Sequence, residues 1–237
     1  MIGSKKKIVF VHIPKTGGSS VAWALRKEFD RPNPLQRSLK SLDKRTLNTG
    51  LYPKSKFQPL PVHAKATDYV QHLGDRYWEM HSLAFVRNPF DLQISLFSYI
   101  QQTDIHPLHN AIKDISFREF IIEYCGTECS PNCQSSYVLD PQDRCIVGTV
   151  GRLENLNADF RSFCSEIGVN ATLDHENKSK RSRRIAEYYD PELTEMVINA
   201  FRPDFDLLGY STDPHDLSYA QMKLAQHPRL QPHLSVV

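Results

Sequence analysis

The 237-residue chain has no stretch approaching the roughly 18 uncharged apolar residues that a membrane-spanning helix needs. Behind Lys5–Lys7, the apolar run Ile8–Ile13 is six residues long and interrupted by His12, too short for the core of a secretory leader. The chain therefore reads as soluble and cytoplasmic, with a Golgi-lumenal fragment as the alternative. Cysteine is sparse: Cys125, Cys129, Cys133, Cys145 and Cys164 include no C-x2-C pair, and no histidine lies between 109 and 175. Gly126 and Pro131 break any helix that would align the first three. This argues against zinc or any other bound metal, and leaves disulfides near a loop or plain free thiols. Internal repeats are absent. So is a basic patch interleaved with aromatics, which argues against a nucleic-acid partner.

What is present suits a packed domain. Hydrophobic residues make up 40% and charged residues 24%. Length fits one α/β domain over 1–210, with a polar, proline-punctuated tail at 211–237. The net charge of +2 hides an asymmetry: residues 1–60 carry 13 Lys+Arg against 3 Asp+Glu, and the remainder is net acidic. A basic N-terminal quarter suits an anionic ligand as well as it suits a solvated surface.

Periodicity predicts a buried strand at 7–13, a glycine turn, and a helix over 21–29 with Val21, Leu25 and Phe29 on one face. Residues 30–61 read as a long, mobile loop. A helix at 64–73 stops at Gly74. A second strand covers 82–87, and Asn88-Pro89 opens a helix over 90–102. Ser116 caps a helix at 117–124. A third strand covers 145–153, a helix 156–167, a basic loop 176–184, and helices 183–189 and 191–201 follow. Strands alternating with helices predict a three-layer α/β/α fold around a parallel sheet.

The first strand leads into Pro14-Lys15-Thr16-Gly17-Gly18-Ser19-Ser20 and then a helix. Such a turn is an anion site: main-chain N–H groups point outward, glycines admit a close ligand, Ser19 and Ser20 add hydroxyls, and Lys15 adds a charge. The order matters. A nucleoside-triphosphatase loop places its lysine after the glycines, whereas Lys15 precedes Gly17 and Gly18. A phosphoryl transferase of that kind is disfavoured.

From His12 to Ser20 the string resembles the 5′-phosphosulfate loop of sulfotransferases that use 3′-phosphoadenosine 5′-phosphosulfate (PAPS). The similarity is greatest to the carbohydrate group that includes heparan and chondroitin sulfate enzymes. The resemblance implies a P-loop-like nucleotide-binding fold. It implies that Lys15 and the loop from Thr16 to Ser20 hold the 5′-phosphate, with Lys15 at the oxygen bridging phosphorus and sulfur. It also implies an arginine at a strand end and a serine eight residues on, clamping the 3′-phosphate. Arg87 and Ser95 match that pair. Val150–Leu156, Tyr188–Leu193 and Asp204–Tyr210 resemble later segments of the family, so the similarity spans about residues 7–210.

The resemblance also implies a general base in the histidine upstream of the arginine strand, His63, a role that suits imidazole because it titrates near neutrality. His12 is its rival, lying on the first strand. In the basic loop, Lys180, Arg181 and Arg184 are candidates for holding the nucleotide or an anionic acceptor. The expected reaction is in-line transfer of a sulfuryl group from PAPS, without metal, to a glycan or small-molecule hydroxyl or an amine. Alternatives are a nucleotide-dependent phosphoryl transferase and a nucleotide-binding module without chemistry. Tyr52 and Phe57 are placed near the acceptor by position alone.

Overall fold

The structure, a computed structural model, describes residues 1–29, 60–127, 132–173 and 184–230. It opens with β1 (Ile2–Gly3), β2 (Ile8–Val11) and α1 (Gly18–Ala24). Then come α2 (Ala66–Leu73), a 3₁₀ segment (Gly74–Glu79), β3 (His81–Val86) and α3 (Pro89–Gln102). They are followed by α4 (His109–Ile112), α5 (Phe117–Tyr124), α6 (Ser135–Val138) and β4 (Thr149–Arg152). The chain closes with α7 (Leu156–Glu166), α8 (Pro191–Ala200) and α9 (Arg202–Leu208).

The four strands form one sheet in the order β1-β2-β3-β4. β2, β3 and β4 run parallel, pairing Ile8 with His81, Val11 with Ala84, Leu83 with Thr149, and Val86 with Arg152. The sheet is mixed rather than wholly parallel, because β1 pairs antiparallel with β2. Two residues carry no periodicity, which is why β1 left no trace in the pattern.

Alternate residues of each strand point to opposite faces, and the sheet uses both. Val9, Val11, Ala84, Val86 and Val150 join one apolar cluster with Tyr69, Phe90, Phe120, Val197 and Phe205. Ile8, Phe10, Leu83 and Phe85 join a second with Val21 and Leu25 beside α1 and with Phe160 and Phe163 of α7. Burial on both sides explains why β2 and β3 read as unbroken apolar runs.

Local signals place the helix starts. Asn88 Oδ1 accepts from the Phe90 N–H at 2.9 Å, with Pro89 in the first turn. Ser116 and Glu119 form a reciprocal capping box at the head of α5.

Two expectations need correction. The third strand is shorter than 145–153, because Cys145 bridges to Leu139 and to Gln226 instead of extending β4. The helix expected at 183–189 is a 3₁₀ turn, Ile185–Tyr188. The tail is strapped to the domain as far as the description extends. Ala220 N–H donates to Gly209 O at 2.8 Å, Cys145 N–H to Ala225 O at 2.7 Å, and His227 stacks on Trp78 at 4.4 Å. Met222 and Leu224 are buried in the larger cluster. Helix boundaries elsewhere shift by a few residues, with α1 beginning earlier, at Gly18.

Candidate active site

The parallel strands end at one edge of the sheet, where open α/β sheets hold ligands. From β2 the chain passes through Ile13 and Pro14 into a tight loop. Lys15 (φ 64°) and Gly17 (φ 78°) both adopt left-handed backbone. Glycine tolerates this, whereas lysine does so at a cost of about 1–3 kcal/mol, a strain that such sites often carry. Thr16 is buried and its hydroxyl donates to Ile13 O at 3.0 Å, pinning the turn. Gly17 caps α1, and among the described residues the N–H groups of Gly18 and Ser19 donate to no main-chain acceptor. Ser19 is exposed and Ser20 half-buried.

Gly18 has a specific reason to lack a side chain. A Cβ there would lie 2.0 Å from His12 Cδ2 and 2.2 Å from His12 Nε2. The His12 ring occupies that space, stacked on Phe10 and tilted against His63 with ring centroids 4.7 Å apart. Burial, then the neighbouring His63 and the chain's amino terminus, lowers the His12 pKa to about 4. His12 is therefore a neutral packing residue near pH 7.

His63 is exposed, and its Nδ1 lies 2.8 Å from the His12 carbonyl oxygen. A carbonyl only accepts, so Nδ1 carries the hydrogen. In that tautomer the ring's lone pair is at Nε2.

Arg87 follows β3 directly and is 7% exposed. Its Nε donates to Asp91 Oδ2 at 2.7 Å, its Nη2 pairs with the same oxygen at 2.5 Å, and its Nη1 donates to Lys15 O at 3.0 Å. That last bond joins the two elements expected to grip opposite ends of a nucleotide. Gln134 exchanges a pair of hydrogen bonds with the Arg87 backbone, at 2.8 and 2.7 Å, and is itself held by buried Asp204. Asn88 N–H donates to Glu154 Oε1 at 2.7 Å. Burial raises the pKa of both Asp204 and Glu154.

Asp91, Ser95 and Tyr99 follow at four-residue intervals along α3, so they share one helix face. Ser95 is half-buried between a residue bonded to Arg87 and one in contact with Lys15. The Lys15 ammonium lies 4.0 Å from the Tyr99 ring centroid. Burial, then the Arg87 charge, lowers the Lys15 pKa.

The structure thus brings together Lys15, Arg87 and the α3 face carrying Ser95, and ties His63 to the strand end that starts the loop. Arg184 is exposed and heads the 3₁₀ turn Ile185–Tyr188. Lys180 and Arg181, like Tyr52 and Phe57, lie outside the described residues.

Sequence reasoning missed Asp91, Tyr99 and Gln134. The four-residue spacing from Arg87 to Asp91 was a usable signal. Gln134 had none, since its role arises from a contact 47 residues away in the chain. No cluster of three or more metal-ligating side chains occurs among the described residues. Their four cysteines, Cys125, Cys133, Cys145 and Cys164, are free thiols, and burial raises the pKa of each.

A model described as the sulfotransferase family matches residues 1–211. The chain belongs to the sulfotransferase family. No curated protein and no solved structure matches it. For this sulfotransferase the match includes the glycine loop, β3 and Arg87, and β4, and it ends where the C-terminal strap begins. No helix among the described residues is long and apolar enough to cross a membrane.

Proposed function

We propose that this sulfotransferase moves a sulfuryl group from PAPS to an acceptor hydroxyl, on a glycan or a small molecule, or to an amine. The observation that carries the reading is the hydrogen bond from Arg87 Nη1 to Lys15 O at 3.0 Å. It joins two cation-bearing elements at the strand ends, which supports reading them as the two ends of a phosphate clamp. The reading also takes the fold as a three-layer, P-loop-like sandwich of the carbohydrate-sulfotransferase kind, with helices against both faces of the sheet.

In this mechanism the acceptor oxygen attacks sulfur in line with the bridging oxygen. The acceptor O–S bond forms as the bond from sulfur to the bridging oxygen breaks. His63 Nε2 receives the acceptor proton, and adenosine 3′,5′-bisphosphate leaves. Lys15 and the N–H groups of Gly18 and Ser19 stabilise charge on the departing phosphate, a preorganised electrostatic effect that dominates group transfer. Arg87 and Ser95 grip the 3′-phosphate. An arginine has five N–H donors, so one guanidinium can serve both a carboxylate and a phosphate. Lys180, Arg181 and Arg184 supply further cations for the nucleotide or an anionic acceptor.

Calorimetric titration with adenosine 3′,5′-bisphosphate, beside ADP and ATP, tests the donor. Binding of the bisphosphate well ahead of the others is expected; preference for ATP would move phosphoryl transfer to the front. Nucleotide binding with no turnover on any acceptor screened would favour a module without chemistry. Once an acceptor is found, His63→Gln should lower kcat by about 10²- to 10⁴-fold, while the affinity for the bisphosphate stays near that of the wild type.

A further inference from the structure

We infer that Tyr99 is a positioning residue for Lys15: its ring holds the ammonium that meets the 5′-phosphate. The inference rests on the PAPS reading above. A lysine side chain is a flexible four-carbon stem bearing a compact charge, and directing it at one phosphate costs rotamer entropy. An aromatic face offsets that cost by attracting the cation without neutralising it. The ammonium keeps three N–H donors, so resting on a ring does not prevent a charge-assisted bond to an anion.

The geometry favours this role over an incidental contact. Lys15 Nζ is 4.0 Å from the Tyr99 centroid, well within cation–π range. Half-burial of Lys15 strengthens the attraction by keeping water from part of the pair. The backbone is constrained as well: Lys15 is held left-handed, and its carbonyl accepts from Arg87. Tyr99 is in turn supported by an edge-on contact with His106 at 5.7 Å. Tyr99 is 42% exposed, so packing alone does not account for its place here. Helix α3 therefore orients both cations from one face, Arg87 through Asp91 and Lys15 through Tyr99, with Ser95 between them.

Two measurements test the assignment. In the first, adenosine 3′,5′-bisphosphate is titrated into wild type, Tyr99→Phe, Tyr99→Leu, Lys15→Ala and the Lys15→Ala/Tyr99→Leu double variant. Tyr99→Leu should weaken binding about three- to tenfold, the range that a cation over an aromatic face commands. Tyr99→Phe keeps the ring and should stay within about twofold of wild type. In the Lys15→Ala background the leucine should have almost no further effect, because the partner is already gone. Full loss in that background, or wild-type affinity for Tyr99→Leu, would overturn the role. The second measurement needs no nucleotide: brief acetylation with acetic anhydride, with the modification of Lys15 read by mass spectrometry. Removing the ring should make Lys15 react faster, and equal rates in wild type and Tyr99→Leu would refute the contact. Faster acetylation in a protein that binds no bisphosphate would retain the Lys15–Tyr99 pair and reject the PAPS reading.

Discussion

Arg87 and Arg152 sit at the ends of neighbouring parallel strands, β3 and β4, where Arg152 pairs with Val86, one residue before Arg87. Both are buried, at 7% and 4% exposure, yet they are used in opposite ways. Arg87 meets a carboxylate, Asp91, and the carbonyl of a loop lysine. Arg152 meets neutral groups: its Nη2 donates to Leu208 O at 2.6 Å and to Ala220 O at 2.9 Å. Its guanidinium also contacts the Tyr210 and Tyr219 rings, at 4.6 and 4.2 Å from their centroids, while the two rings meet edge-on. One arginine ties the glycine loop to the end of β3 and, in the proposed function, faces the nucleotide. The other is a clasp that fastens the C-terminal strap to the end of β4. Position relative to the glycine loop, and not residue type or burial, separates the arginine proposed to bind a ligand from the structural one.

The largest effect expected is on stability. Arg152→Met should destabilise the fold by about 3 kcal/mol by leaving buried carbonyls without a donor and removing the cation from the Tyr210 and Tyr219 rings. The midpoint of thermal unfolding should then fall by about 6–12 °C. Affinity for adenosine 3′,5′-bisphosphate should stay within about threefold of wild type. Arg87→Ala should do the reverse, weakening that affinity about 10- to 100-fold, which is about 1.4–2.8 kcal/mol, with a smaller thermal shift than Arg152→Met. Exchanged results, with Arg152 governing affinity and Arg87 governing melting, would break the comparison.

The smallest expected effect separates both arginines from a neighbouring histidine, His12. His12 has its pKa lowered to about 4 by burial, so the folded state resists its protonation. A depressed histidine contributes stability that is fully present above its unfolded pKa of about 6.5 and is lost as pH falls toward about 4. The loss should be on the order of 1–2 kcal/mol after allowance for its partial solvent contact. Arginine does not titrate in this window. Thermal melts from pH 7 to 4 should therefore show a slope that His12→Phe flattens and Arg152→Met retains. An unchanged slope in His12→Phe would place the titration elsewhere.

Much of the site was legible because its parts are local. The Lys15–Ser20 loop needs glycines and a lysine in order, and Arg87 follows an apolar strand that announces itself. β2 and β3 read clearly because their residues feed both clusters. Legibility failed where a role depends on a distant partner. Gln134 holds the Arg87 backbone, and Asp204 holds Gln134. The tail looked like a polar appendage because Met222, Leu224 and Tyr219 lack periodicity, yet they bury or clasp against segments far away. His12 read as a second candidate base. Only its packing against Phe10 and into the space above Gly18 makes it a neutral wedge.

By itself, then, the sequence determined the strand–loop–helix at Lys15–Ser20, the arginine after β3 and the alternation of the elements. Those depend on backbone freedom, capping and period, all set within a few residues. Tertiary structure alone decided which histidine faces outward, which arginine faces the loop, and that Tyr99 lies against Lys15. Each of those is a meeting of segments many residues apart, and strand register and helix packing fix such meetings where local propensity carries no information.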